Sequence, residues 1–404
     1  MRHAELQRRL AAALASPLFA IFLVVFLVTA GMGMVWSILA LYATALGASA
    51  ALVGTLIAAF GGARLVVNLP AGIASERFGR RRVMLIGLVL LALSSFAAIG
   101  LASVPPLLLC LLVQGVGCSM YVTAALSAVA DLSTPESRVR DMASYQGASS
   151  IGIAVGPGIG GLAAAAWGYG APFLLQGIFA LLAVAMLIWR APAPKGAAAA
   201  AAMPVLPALS LAALDKRLIA ALALLTYGVF FTRVAANWVL LPLVAQTVAA
   251  MSVAEIGAML TAGAVANLAV LPIANAATRR FGRLATIAGA TAVTVLSLVL
   301  LARAASPALI WIAACLLGAS SGLAMPILSA YAIDAAPAGA VGAAMGLLRM
   351  VTDLGIVSGP VVTGIVVDRM GLGFPGGIWF SAAMVLLAVA VFWATVRDRP
   401  KSRA

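Results

Sequence analysis

Stretches of about 20 apolar residues, each long enough to cross a lipid bilayer as a helix, recur twelve times along this chain. They fall at roughly 17–42, 51–74, 83–103, 106–130, 143–166 and 171–190, then at 217–245, 253–276, 284–303, 307–332, 342–366 and 376–396. A water-soluble fold cannot absorb that pattern. Hydrophobic residues make up 64% of the 404 and charged residues 9%, where soluble chains carry roughly 45–50% and 25%. The connections are short and leave no room for a separate soluble domain. The expectation is an all-α membrane protein with twelve transmembrane helices. The first run follows a basic stretch, as a secretory leader does, but it is too long and lacks a convincing cleavage site. It reads as the first span.

Several chemistries fall away at once. The single histidine is His3, in the N-terminal tail. A zincin helix, a Ser-His-Asp triad and a histidine metal centre all need more than that. Cys110, Cys118 and Cys315 are odd in number and lie inside apolar runs, so no disulfide framework is expected. Neither a metal nor an organic cofactor is called for.

Orientation follows the arginines and lysines. With the N-terminus in the cytoplasm, inside segments carry Arg2, Arg8, Arg9, Arg77, Arg80, Arg81, Arg82, Arg138 and Arg140. They also carry Arg190, Lys195, Lys216, Arg217, Arg279, Arg280, Arg283, Arg397, Arg399, Lys401 and Arg403. Outside connections carry only Arg303 and Arg369, and Arg64, Arg233 and Arg349 lie within spans. Both termini are therefore expected in the cytoplasm, in a plasma membrane of bacterial inner-membrane type. The net charge of +14 is then a topology signal, with anionic lipid headgroups as its partner rather than nucleic acid.

A shift of 203 residues, half the chain, brings the punctuation into register without gaps. Phe78-Gly79-Arg80 meets Phe281-Gly282-Arg283, Asp131 meets Asp334, and Gly156-Pro157 meets Gly359-Pro360. Gly54, Gly115, Gly168 and Pro172 also meet their like. Six spans per repeat keep both halves in the same orientation, related by an axis along the membrane normal. The expected domains are a six-helix bundle over 1–190, a linker over 191–216 and a second bundle over 217–404. The linker opens Ala-Pro-Ala-Pro-Lys-Gly and runs into alanines that could also form a short surface helix.

Two motifs carry the strongest signal. Between the second and third spans, Gly72, Glu76, Arg77, Gly79, Arg80 and Arg81 follow Pro70 in order. A positive-inside loop accounts for the arginines but not for the ordered glycines and acid before them; a gating turn accounts for both. In the fifth span, Gly152, Gly156 and Gly160 fall four apart on one face, with Pro157 and Gly161 beside them. Such a stripe lets helix backbones approach closely, and the proline removes one helical hydrogen bond. The first motif resembles the cytoplasmic signature of the major facilitator superfamily, glycine-x-leucine-alanine-aspartate-x-x-glycine-arginine-arginine, with Ala74 for leucine and Glu76 for aspartate. The second resembles the fifth-helix signature of its drug–proton antiporter branch, and every fixed position is filled. Gln114 and Gly115 resemble the fourth-helix signature, although Leu111 stands where antiporters carry arginine.

An ionisable residue deep in a span is a functional candidate by default. Asp353 is the one acid well inside a span, with Arg349 one turn before it; the pair is either a structural ion pair or the proton-coupling element. Substrate-cavity candidates are Arg64, Gln114, Tyr121, Tyr227, Arg233, Asn237, Asn267 and Met325, for each of which plain helix packing competes. The resemblance implies a twelve-helix secondary transporter working by alternating access as a monomeric unit. It implies proton-coupled efflux of a small amphipathic compound. A proton- or ion-coupled importer of a small metabolite is the rival within transport, and a polytopic membrane enzyme the rival from another class, disfavoured by the absence of a clustered nucleophile, base or metal set.

Overall fold

The computed structural model describes residues 16–134, 136–190, 216–304, 306–334 and 341–397. Twelve helices follow one another there, and no strand occurs among the described residues. The first six are α1 (Pro17–Ala45), α2 (Ala50–Phe78), α3 (Arg80–Ala97), α4 (Val104–Leu132), α5 (Arg138–Trp167) and α6 (Gly170–Arg190). Then α7 runs Lys216–Ala235, passes through a π-helical turn at Ala236–Leu240 and continues over Leu241–Thr247. The last five are α8 (Val253–Phe281), α9 (Arg283–Ala302), α10 (Pro307–Asp334), α11 (Val341–Asp368) and α12 (Gly373–Arg397). All but Lys216 of the expected linker lies outside the described residues, as do both chain ends.

Eleven helices among the described residues are long and apolar enough to cross a membrane. The exception is α3, expected as a span over 83–103. Its first turn is Arg80-Arg81-Arg82 and it ends at Ala97, so its apolar stretch is shorter than the sequence alone indicates. Local signals set several ends. Ser103 precedes α4, whose first turn carries the prolines that tolerate that position. A capping box opens α8: Ser252 Oγ accepts from the Glu255 amide and the Glu255 carboxylate accepts from the Ser252 amide.

Contacts group the chain into two compact units. One takes the chain up to Ile38 and from Gly62 through α6; the other takes Leu39–Gly61 with α7 to α12. The first unit's core joins Val24, Val28, Leu88, Leu91, Tyr121 and Ala183. The second joins Leu222, Leu225, Ile287, Ile327, Leu328 and Phe392. Large apolar side chains remain exposed along the helices, Val66, Leu69, Leu162 and Trp189 among them, as suits helices solvated by lipid.

Within the second unit, Leu39–Gly61 is tied to α11 by backbone approach. A side chain at Gly54 would strike the Pro360 carbonyl, and one at Gly364 the Ala50 carbonyl. The Ala51 amide, at the start of α2, donates to the Asp368 carboxylate at 2.6 Å.

Candidate functional site

The turn between α2 and α3 rests on Gly79, whose φ of 92° lies in the left-handed region that glycine enters without penalty. Nothing stands within 4 Å of the place its Cβ would occupy, so the backbone, not space, demands glycine. The turn aims Arg80 back across the unit. Its Nε donates to Asp131 at the end of α4 at 3.1 Å, and its Nη1 donates to Ser75 at 2.8 Å. Arg81 reaches the Ile188 carbonyl near the end of α6 at 2.7 Å. Glu76 and Arg77 are exposed. A Cβ on Gly72 would meet the Thr123 methyl at 3.8 Å, an ordinary contact.

The same device recurs 203 residues on. Gly282 has φ 81°, and Arg283 pairs with Asp334 at the end of α10. Asp131 and Asp334 were visible in the sequence as repeat mates, yet their partners became evident only once helix ends were brought together. Gly79→Val should cost about 1–3 kcal/mol of backbone strain and slow turnover more than it lowers membrane yield, because the spans and arginines that direct insertion are untouched. Turnover per inserted molecule, compared with the parent protein, checks this; normal turnover would remove the gating role.

On α5 the glycine stripe lies against the backbone of α1. A Cβ on Gly156 would stand 2.5 Å from the Ala30 carbonyl oxygen and 2.7 Å from Gly33 Cα. One on Gly160 would stand 2.5 Å from the Met34 carbonyl oxygen, and one on Gly152 would strike Thr29. Gly161 and Pro157 are buried beside them. The repeat reproduces the crossing: a Cβ on Gly359 of α11 would stand 2.5 Å from the Phe231 carbonyl oxygen of α7, and one on Gly355 would stand 3.2 Å from the Tyr227 carbonyl oxygen.

The polar candidates fare differently. In the first unit, Gln114 and Tyr121 on α4 are 1% and 0% exposed. The Gln114 Nε2 and the Tyr121 hydroxyl have no hydrogen-bond partner among the described residues. Arg64 is part-buried on α2. Nearby, Ser119 donates to Asn68 at 2.6 Å, joining α4 to α2; neither residue stood out in the sequence.

In the second unit, Asn267 donates to the Gly318 carbonyl at 3.1 Å, where α8 and α10 cross at glycine contacts. Tyr227 shares a 2.9 Å hydrogen bond with Ser358. Met325 packs against the apolar core. Asn237 lies inside the π-helical turn, which begins three residues after Arg233.

The expected pair on α11 does not form. Asp353 is 5% exposed, whereas Arg349 is exposed, and no ion pair joins them within 4.0 Å. A long helical side chain leans toward its own N-terminus, which carries Arg349 away from an acid one turn later. Acid-before-base is the favoured order for such pairs, and this one is reversed.

Two units with matching turns, matching ion pairs and matching glycine crossings leave one further comparison. The sequence profile of the Major Facilitator Superfamily matches residues 21–247 and again residues 223–404. The chain belongs to the Major Facilitator Superfamily. Its relatives in this superfamily include the Quinolone resistance protein NorA of Staphylococcus aureus, 27% identical over 179 residues, which are 44% of this chain and 46% of NorA. An uncharacterized MFS-type transporter, MJ1560 of Methanocaldococcus jannaschii, is 28% identical over 166 residues, 41% of this chain and 43% of that protein. Each match spans less than half of these relatives' length. Solved structures share the superfamily fold throughout. The nucleoside transporter NupG superposes with a TM-score of 0.82 at 13% identity, covering 95% of this chain and 100% of that one. A D-xylose-proton symporter gives 0.73 at 18%, covering 94% and 98%. At these identities the likeness shows the fold alone.

Proposed function

We propose that this superfamily member is a proton-coupled exporter of small amphipathic compounds, working by alternating access between its two units. The observation that carries this reading is the α5 stripe, Gly152 to Gly161, seated backbone to backbone on α1 with every position of the antiporter-branch pattern filled. Similarity to a protein named for quinolone resistance points the same way. Rigid close crossings at α1–α5 and α7–α11 let each unit rock as a body, while the Gly79 and Gly282 turns couple neighbouring helices at one end. Asp353, the acid enclosed in α11, is the candidate proton carrier. The working unit is a monomer in an inner membrane, with both termini in the cytoplasm and anionic lipid along the arginine-rich face.

One observation favours a second reading. Leu111, fully buried on α4, stands where the antiporter pattern has arginine, and this departure keeps open a proton- or ion-coupled importer. Cells expressing the protein and loaded with ethidium separate the two. Export predicts faster loss of dye and protection from growth inhibition, both cancelled by a protonophore. Faster dye entry, or protection that persists with the protonophore, contradicts the proposal.

A further inference from the structure

Arg233 lies near the middle of the 31-residue stretch Arg217–Thr247. No described carboxylate comes within 4.0 Å of it, and its guanidinium lies over the Phe230 ring, 5.8 Å from the centroid. That position follows from helix geometry, since a long side chain leans back over the preceding turn. A π-helical turn begins three residues later, and such turns concentrate at functional sites.

Arg233 borders a pocket inside the second unit, lined also by Thr291 and Thr294 of α9, Ser320 and Ser321 of α10, and Val385 of α12. The space accepts a water-sized guest and nothing the size of a drug. Each of the four hydroxyls now donates to a carbonyl of its own helix, at 2.9 to 3.1 Å.

The internal repeat supplies a control for whether the fold needs these groups. The residues 203 positions earlier are Ala30, Leu88, Leu91, Gly117 and Cys118. There, Leu88 and Leu91 are 0% and 1% exposed in the apolar core, and the α1–α5 crossing forms with alanine where α7 has arginine. The architecture is therefore built without a cation or hydroxyls at these places. A lone guanidinium in a span is costly without a counter-charge.

We propose that this pocket binds one small anion, chloride or the carboxylate head of a larger compound, on the Arg233 guanidinium. The hydroxyls of Thr294 and Ser321 turn from their carbonyls to the anion. That exchange is favourable because a hydrogen bond to a charged group is roughly twice as strong as a neutral one.

The test uses the purified full-length protein in detergent, with ionic strength held constant by methanesulfonate, too bulky for the pocket. Chloride and formate are titrated separately while thermal unfolding is followed. Binding to the folded state should raise Tm by about 2 °C or more at tenfold over Kd. A response to chloride alone assigns the site to a free inorganic ion, and a response to formate, alone or together with chloride, assigns it to a carboxylate. Arg233→Gln should abolish the shift, and Arg233→Lys should keep it at weaker affinity. Should Arg233→Gln fail to fold, Thr294→Val with Ser321→Ala takes its place and should weaken binding at least severalfold. No response to either anion in the parent protein, an undiminished shift in Arg233→Gln, or unchanged affinity in the double variant overturns the proposal.

Discussion

Gly156→Leu is expected to wreck the packing of the first unit, lowering Tm by about 6 °C or more and cutting the yield of monodisperse protein in proportion. The reason is local and severe. A single methyl at this position already meets the Ala30 carbonyl oxygen at 2.5 Å and the Gly33 backbone at 2.7 Å. Those atoms belong to a helix backbone and cannot step aside as a side-chain tip would. Leucine must push α5 off α1 along the whole stripe. Gly147→Leu on the same helix is the matched control, because nothing lies within 4 Å of its Cβ position; it should be tolerated. Gly359→Leu, whose Cβ would stand 2.5 Å from the Phe231 carbonyl oxygen, should reproduce the defect in the second unit. A stable, active Gly156→Leu protein would mean the stripe is incidental.

Asp353→Asn should drop concentrative transport to the level of empty vesicles while leaving substrate binding intact. The carboxylate is 5% exposed inside α11, and the substitution keeps its volume while removing its charge and its ability to take up and release a proton. Binding measured directly on purified protein, beside uptake under an imposed pH gradient, separates these effects. Proton-dependent accumulation by a well-folded Asp353→Asn protein makes Asp353 structural and moves the search to Glu76, Asp131 and Asp334. Because Arg349 is exposed and does not reach Asp353, Arg349→Gln should change transport far less than Asp353→Asn does.

The architecture was legible because lipid imposes a one-dimensional code. Twelve apolar runs and a 203-residue register suffice to lay out twelve helices in two repeats, but do not show that Leu39–Gly61 groups with the later helices. The α5 stripe was equally legible, since glycine at every fourth position has few uses in a span other than backbone contact. Helix-to-helix partners were not. Nothing local in the sequence says that Arg80 meets Asp131, that Ser119 meets Asn68, or that Asn267 is engaged by the Gly318 carbonyl. Those pairings depend on which faces two helices turn toward each other. Arg349 and Asp353 show the limit of spacing rules: one-turn separation places two Cβ atoms as neighbours, but rotamer direction decides whether the charges touch. The π-helical turn at Ala236–Leu240 was likewise hidden, because one extra residue in a turn leaves no mark on an apolar pattern.

Inside-out membrane vesicles holding the protein test direction and coupling together. With the lumen acidified, a proton-coupled exporter should accumulate ethidium unaltered in the vesicles. Each addition of dye should release luminal protons, and both signals should vanish with a protonophore and with Asp353→Asn. Accumulation only under the opposite gradient, or dye movement without proton release, contradicts proton-coupled export.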